Sequence, residues 1–504
     1  ICREVTFAVI FVYYQSFVGS NCFLFLFYYM NCSSSGFAKN LLEMGTSNEL
    51  QAVVMAAGKG SRITELTARR PKCLLPIGNV PMILYPLQLL ERSGFQDAII
   101  VILEANKTEI QTALDKCNIK IKYELVGIAA GDDWGTADSL RYLEETNRIK
   151  TDILVVSCDL ITDITIGPLL ELYRRHDATL TAMFVHSGSS QSVLPTPGPK
   201  NKSKLERDFV GIDPKTSRLV LLASASDYEE ELPLKCSLMR KYGRINLHSK
   251  LLDAHLYIIK RTLCHYLAYN KTLSTLKGEV LPFVVKKHIE KSCKIVPTKV
   301  EDKASVIGVD LKTELGHFTQ ENELIQKVRT MSAYTDNRFQ VCYQGDSLRC
   351  YAQIYDKSAY AVRANTLQQY CLANREIVER WGSLINDREL ITVSPLATIK
   401  STQLDNTCLV AEKSRVAERT SVRNSIIGPA VEVNQKTAIK DCVIMYGVKV
   451  GQGCILQNCI ICEESVIEDN CELKDCLVGS HHIVSAGSKR TSEVLTDVDR
   501  LMEI

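Results

Sequence analysis

A seventeen-residue period constrains this chain more than any other feature. Val416, Val433, Val450 and Ile467 stand 17 apart; so do Val422, Ile439, Leu456 and Leu473, and so do Val410, Ile427, Ile444, Ile461 and Val478. Within one period the steps are 6, 5 and 6 residues, from 416 through 422 and 427 to 433. A unit this short cannot bury its own apolar residues. Three brief strands per turn, each placing one aliphatic side chain inward on that of the next coil, satisfy it. The spacing predicts a β-helix of hexapeptide turns over residues 391–487, with a tail at 488–504. The same register reinterprets Cys459-x-x-Cys462, which alone looks like half of a zinc site. Ser425, Cys442, Cys459 and Cys476 are also 17 apart. The cysteines are therefore expected to stack as small residues along one edge of the coil, despite His481 and His482 nearby.

The first half of the chain carries a different pattern. LQAVVMA (50–56) is a continuous apolar run ending in glycines, as expected of a buried parallel strand that feeds a phosphate loop. VPMILYPLQLLERSG places Ile83, Leu87 and Leu90 on one helical face, with Pro81 near its start and Gly94 as C-terminal cap. Strands are predicted at 97–103, 151–159, 207–213 and 251–259, and helices at 136–147 and 167–176. Alternating strands and helices imply a mostly parallel sheet covered on both faces, with ligands beyond the carboxyl ends of its strands. This domain is assigned to residues 48–290. The Ser-, Pro- and Lys-rich stretch 187–207 reads as an exposed, mobile loop. Residues 291–390 read as a linker with a helical segment at 361–381.

The chemistry-bearing residues cluster at those strand ends. In AAGKGSR (56–62), Gly58 and Gly60 allow close approach of the backbone to a triphosphate, and the amides through Ser61 can cradle its oxygens. Arg62 and Lys72 supply positive charge where negative charge develops at phosphorus. The loop is not GxxxxGK[ST], which disfavours GTPases and ATPases of that class. Asp159 ends one strand and Asp253 lies in another, a pair suited to holding magnesium against a nucleotide's phosphates. Gly135 and Thr136 of GTADSL open a helix whose N-terminus can meet a base or phosphate. His176 and His255 read as structural, and Arg69-Arg70 as a solvated face.

Together these segments resemble the nucleotide-sugar pyrophosphorylases, and more closely the gamma subunits of eukaryotic translation initiation factor 2B. The lines that carry the closer resemblance include LQAVVMAAGKGSR, PKCLLPIGNVPMILYPLQLLERSGF, WGTADSLRYL, TDILVVSCDLITD, LLDAHLYIIK, VRANTLQQYCLANR and the terminal DRLMEI. The resemblance implies a nucleotidyltransferase-like α/β domain of Rossmann type followed by a left-handed parallel β-helix. It implies a non-catalytic subunit of the guanine nucleotide exchange factor for initiation factor 2. The implied partners are the epsilon subunit, the alpha, beta and delta subunits, and initiation factor 2 itself. In that family exchange resides in a helical-repeat domain at the epsilon C-terminus, and no such segment follows the β-helix here. The chain is thus expected to bind and scaffold. No cofactor is required; nucleotide with magnesium at Gly58, Gly60, Ser61, Arg62, Lys72, Gly135, Thr136, Asp159 and Asp253 is the ligand the retained residues suit. An active sugar-1-phosphate nucleotidyltransferase is the alternative. Against it, the F-x-E-K-P segment used toward the sugar phosphate is absent between 207 and 260, and Ser-Cys-Asp replaces Gly-Asp at 157–159. Cys158 and His255 are expected to crowd the sugar pocket.

Composition closes off other classes. Sixty Lys and Arg against 58 Asp and Glu leave a net charge of +2, so no global field draws the chain to nucleic acid or membrane. Nineteen cysteines scattered through apolar strands suit a reducing cytosol. The uncharged stretch inside residues 1–43 is long enough to span a bilayer, but Met44 precedes a hydrophilic segment and a normal domain onset. Residues 1–43 are therefore read as an extension outside the native protein, which would then be cytoplasmic.

Overall fold

The computed structural model describes residues 49–496, apart from 118, 130–133, 187–194, 199–206, 229–231, 233, 235, 288–314, 319–322, 332–347, 357 and 386–389. The apolar stretch within 1–43 lies outside the described residues.

Seven strands form the central sheet: β1 (Leu50–Met55), β2 (Asp97–Leu103), β3 (Lys122–Ile128), β4 (Asp152–Ser157), β5 (Leu180–His186), β6 (Leu251–Ile259) and β7 (Cys350–Tyr355). Their order is 7-5-6-4-1-2-3. β1 pairs in parallel with β2 and β4, and β2 with β3; β6 runs antiparallel to both β4 and β5. Strands buried on both faces must be apolar at every position, and alternate residues then feed separate cores. Val53, Met55, Ile99, Val101, Ile153 and Val155 join the core on one face. Ala52, Val54, Ile100, Ile102, Leu154 and Val156 join that on the other. The helices Thr136–Glu145 and Arg261–Tyr269 cover the first face; Leu84–Arg92 and Gly167–His176 cover the second. Gly94 takes φ 83° just past the helix Leu84–Arg92, the left-handed stop expected of it.

The region assigned as linker contributes to this sheet. Cys350–Tyr355 pairs in parallel with β5, Cys350 opposite Leu180. Ala361–Arg363 pairs antiparallel with Leu160–Thr162, so the predicted helix does not begin at 361. It spans Leu367–Leu384, opened by Thr366, whose hydroxyl accepts from the Gln369 amide at 3.3 Å. The loop 187–207 is likewise not wholly free. Within it, Pro197 and Gly198 are buried, the Gly198 amide donates to the Asp475 carbonyl (2.8 Å), and Asn458 Nδ2 donates to the Pro195 carbonyl (3.1 Å).

From Thr398 onward, three six-stranded parallel ladders stack coil on coil, Val416 beside Val433 and Val422 beside Ile439. The predicted inward columns are buried in one core. The ladders run on through Lys489–Thr491 and Val494–Leu495, past residue 487 where the sequence reading ends them. Cys442, Cys459 and Cys476 are buried, and their thiols donate to the carbonyls of Lys440, Gln457 and Lys474 at 3.1–3.2 Å. They act as small buried donors at a coil edge. Among the described residues no group of His, Cys, Asp and Glu is placed to hold a metal.

Candidate functional site

The site lies where β1 and β4 end and β6 begins. After β1 the Ala56 amide still donates to Val101 (2.8 Å), and the chain then leaves the sheet. Gly60 has φ 76°, and a Cβ there would come within 2.7 Å of Thr67 Cγ2, so the turn itself requires glycine. A Cβ on Gly58 would meet nothing within 4 Å; Gly58, Ser61 and Arg62 are exposed.

Lys72 is engaged within the site. It opens a single 3-10 turn (Lys72–Leu74), and its Nζ lies 2.6 Å from Asp159 Oδ2. Asp159 lies two residues past the end of β4 and is 1 % exposed. Ser157 Oγ donates to its Oδ1 at 2.7 Å. Arg363 forks onto the same carboxylate, Nε to Oδ1 and Nη2 to Oδ2, both at 3.3 Å. Burial acts to raise the Asp159 pKa, but Arg363 and Lys72 outweigh it and hold the carboxyl well below the ordinary aspartate value. Asp253 is bound by its own strand. Its Oδ1 accepts from the His255 amide (2.8 Å) and its Oδ2 from the Tyr257 hydroxyl (2.6 Å), around a bulge where His255 takes φ 50°. Burial pushes the Asp253 carboxyl up. His255 is held neutral chiefly by burial, with Arg363 adding, and its Nε2 is buried without a hydrogen-bond partner.

Magnesium takes oxygen ligands at about 2.0–2.1 Å. Both oxygens of Asp159 already accept from cations or a hydroxyl, and both of Asp253 from its own strand. Lys72 and Arg363 compete with a divalent ion for Asp159 and cancel much of the negative field that would draw it in. The donors present therefore do not fit a magnesium ion held between Asp159 and Asp253.

The helix Thr136–Glu145 also turns its N-terminus inward. The Gly135 amide donates to Asp138 Oδ2 (2.9 Å), the Ala137 amide to the Ser274 carbonyl (2.8 Å), and the Thr136 hydroxyl accepts from the Leu276 amide (2.8 Å). A Cβ on Gly135 would lie 2.0 Å from the Ser274 oxygen. Glycine is needed there for the chain's own packing.

A cavity of about 440 Å³ opens in front of these strand ends. Of the expected residues, Arg62 and Asp253 line it; Arg363, Asp208 and Lys277 join them, the last two paired at 3.1 Å. Cys158 and His255, expected to crowd the sugar pocket, stand back from this cavity. Cys158 packs in the sheet's second core, its thiol pushed up to about 12 by burial, and neither it nor His255 lines the cavity, whereas Thr196, Pro197 and Val494 do. His176 is structural, stacked on Tyr351 at 4.3 Å. Arg70 is not a solvated face; it pairs with Glu463 of the β-helix at 2.8 Å.

Arg363, Ser157 and Tyr257 are the site residues that the sequence did not reveal. Ser157 and Tyr257 sit two and four residues from the aspartates they contact, so spacing could have found them. Arg363 is brought in by the pairing of two short strands about 200 residues apart in sequence, which no local pattern announces.

Residues 51–192 match the family model described as Nucleotidyl transferase, and residues 391–489 match that of the EIF2B subunit epsilon LbH domain. Fold and matches define the class: a nucleotidyltransferase fold joined to a left-handed β-helix. The translation initiation factor eIF2B subunit gamma of Caenorhabditis elegans is 30% identical over 319 residues, covering 62% of this chain and 77% of that protein. That of Dictyostelium discoideum is 24% identical over 400 residues (76% and 88%), and that of Schizosaccharomyces pombe 31% over 249 (48% and 53%). The chain belongs to the family of eIF2B gamma subunits.

Proposed function

We propose that this chain is a non-catalytic, regulatory subunit of the guanine nucleotide exchange factor for translation initiation factor 2. It supports GDP/GTP exchange on that factor together with the epsilon subunit, in a complex completed by alpha, beta and delta subunits. The observation that carries the non-catalytic part is the engagement of Asp159 by Lys72 and Arg363. The kinship to gamma subunits over 88% of one relative supports the rest. In this role the chain acts in the cytosol through its protein surfaces, without nucleic acid, membrane or a required cofactor. Among the described residues no helix is long and apolar enough to cross a membrane.

The reading is tested by following GDP release from initiation factor 2 with the epsilon subunit, with and without this chain. Release accelerated several-fold by the chain is the expected result. No acceleration, together with pyrophosphate release from GTP or UTP in the presence of sugar phosphates, would favour the second reading, a sugar-1-phosphate nucleotidyltransferase. The intact turn at Gly60 and the 440 Å³ cavity are the observations on its side.

A further inference from the structure

We propose that Arg363 is a built-in cation that closes the divalent-metal position of this nucleotidyltransferase fold. Four observations carry it. The Arg363 guanidinium meets Asp159 as a fork, Nε on one oxygen and Nη2 on the other, which is the planar geometry that suits arginine to carboxylates. Its position is set by backbone as well as side chain: Arg363 lies opposite Leu160 in an antiparallel pair, and the next amide, Ala364, donates to the Asp159 carbonyl at 2.9 Å. The residue thus neutralises the side chain of the same aspartate that anchors its main chain. With Lys72 on the other side, two cations surround one fully buried carboxylate, while the second carboxylate, Asp253, accepts from Tyr257 and from the His255 amide. A metal site needs an excess of negative charge with open lone pairs; here Lys72 and Arg363 balance the two carboxylates, and Asp159 already accepts four hydrogen bonds.

Arg363 also reaches the site from outside the matched nucleotidyltransferase segment, which ends at residue 192. The strand that delivers it belongs to the part of the chain running into the helix Leu367–Leu384. The connection toward the β-helix therefore supplies the group that shuts the metal position. This inference deepens the non-catalytic reading and rests on it, but metal uptake and GDP release are read out separately, so each can fail without the other.

The test is Mn²⁺ binding to the purified full chain, followed by the electron paramagnetic resonance of free Mn²⁺. Wild type is expected to show no uptake that depends on Asp159. Arg363→Gln is expected to bind one Mn²⁺ per chain at least about tenfold more tightly than wild type, the direction set by removing a positive neighbour. The gain should vanish in Arg363→Gln combined with Asp159→Asn. Circular dichroism and melting temperature check that each variant is folded. A folded Arg363→Gln that gains no Mn²⁺ site overturns the proposal. If that variant does not fold, the wild-type arm decides: one Mn²⁺ per wild-type chain, lost in Asp159→Asn, overturns it, and Asp159-independent or absent uptake upholds it.

Discussion

Asp159 is where one side chain affects both stability and chemistry most strongly. Replacing it by Asn would leave Lys72 and Arg363, 12 % and 13 % exposed, without their counter-charge. Removing one partner of a buried ion pair costs about 3–5 kcal/mol, so urea unfolding of Asp159→Asn at neutral pH should show a loss of that order. The sign of the pH dependence follows from the depressed pKa. Its contribution is fully present above the ordinary 3.8 and disappears only as pH falls through the lower folded value. The wild-type advantage over Asp159→Asn should therefore be constant from neutral pH down to about 4 and shrink below it. Asp253 acts in the opposite sense. Its raised pKa means stability falls as pH rises from 3.8 through the folded value. At this scale the sequence was half legible. Glycine turn, Lys72 and both aspartates were readable because strand ends in a parallel sheet collect ligand-facing residues. Their partners were not, because whether Lys72 faces a phosphate or Asp159 depends on where Arg363 lies.

From Lys413 onward each coil of the β-helix turns three corners in the left-handed region, and these corners repeat with the same period as the core. Lys413, Ala430, Gly447, Glu464 and His481 form one such column, with φ between 54° and 68°. A side chain in this conformation costs about 1–2 kcal/mol, less for Asn and Asp. Ala430→Gly should therefore stabilise the protein by about 0.5–1 kcal/mol after the greater chain entropy of glycine is counted. Gly447→Ala should destabilise by a similar amount; its Cβ would also approach Glu464 Cγ at 3.2 Å. Both are read from chemical denaturation midpoints. The coils were legible because one residue in each strand must point inward, which writes the period directly into the sequence. β7 was not. It is an edge strand, buried at Cys350, Tyr351 and Ala352 but only half-buried from Gln353 onward, so neither a continuous apolar run nor an alternation marks it.

The two domains meet along a seam that the period also encodes. Leu409, Ile426, Val443, Ile460 and Leu477 are again 17 apart, one residue before the inward column, and they point to the outside of the coil. They are buried with Tyr370, Ile377 and Trp381 of the helix Leu367–Leu384. Adjacent strand residues face opposite ways, so a doublet of aliphatics at every turn signals a wall covered on both sides; the inward column alone did not show this. Arg70 to Glu463, Arg375 to Asn458 and Asn79 to the Ile427 carbonyl fasten the same seam. Leu477→Ala should cost about 2–5 kcal/mol and ease proteolysis between the domains. Ile483→Lys, at a position 59 % exposed, should stay within about 0.5 kcal/mol of wild type. In the proposed role, the nucleotidyltransferase fold is kept as a scaffold with its metal position closed. The most direct measurement is the exchange of labelled pyrophosphate into GTP and UTP by the purified chain, with magnesium and sugar 1-phosphates. The predicted result is no exchange above that of heat-denatured protein; exchange that scales with protein concentration and stops when magnesium is removed would contradict it.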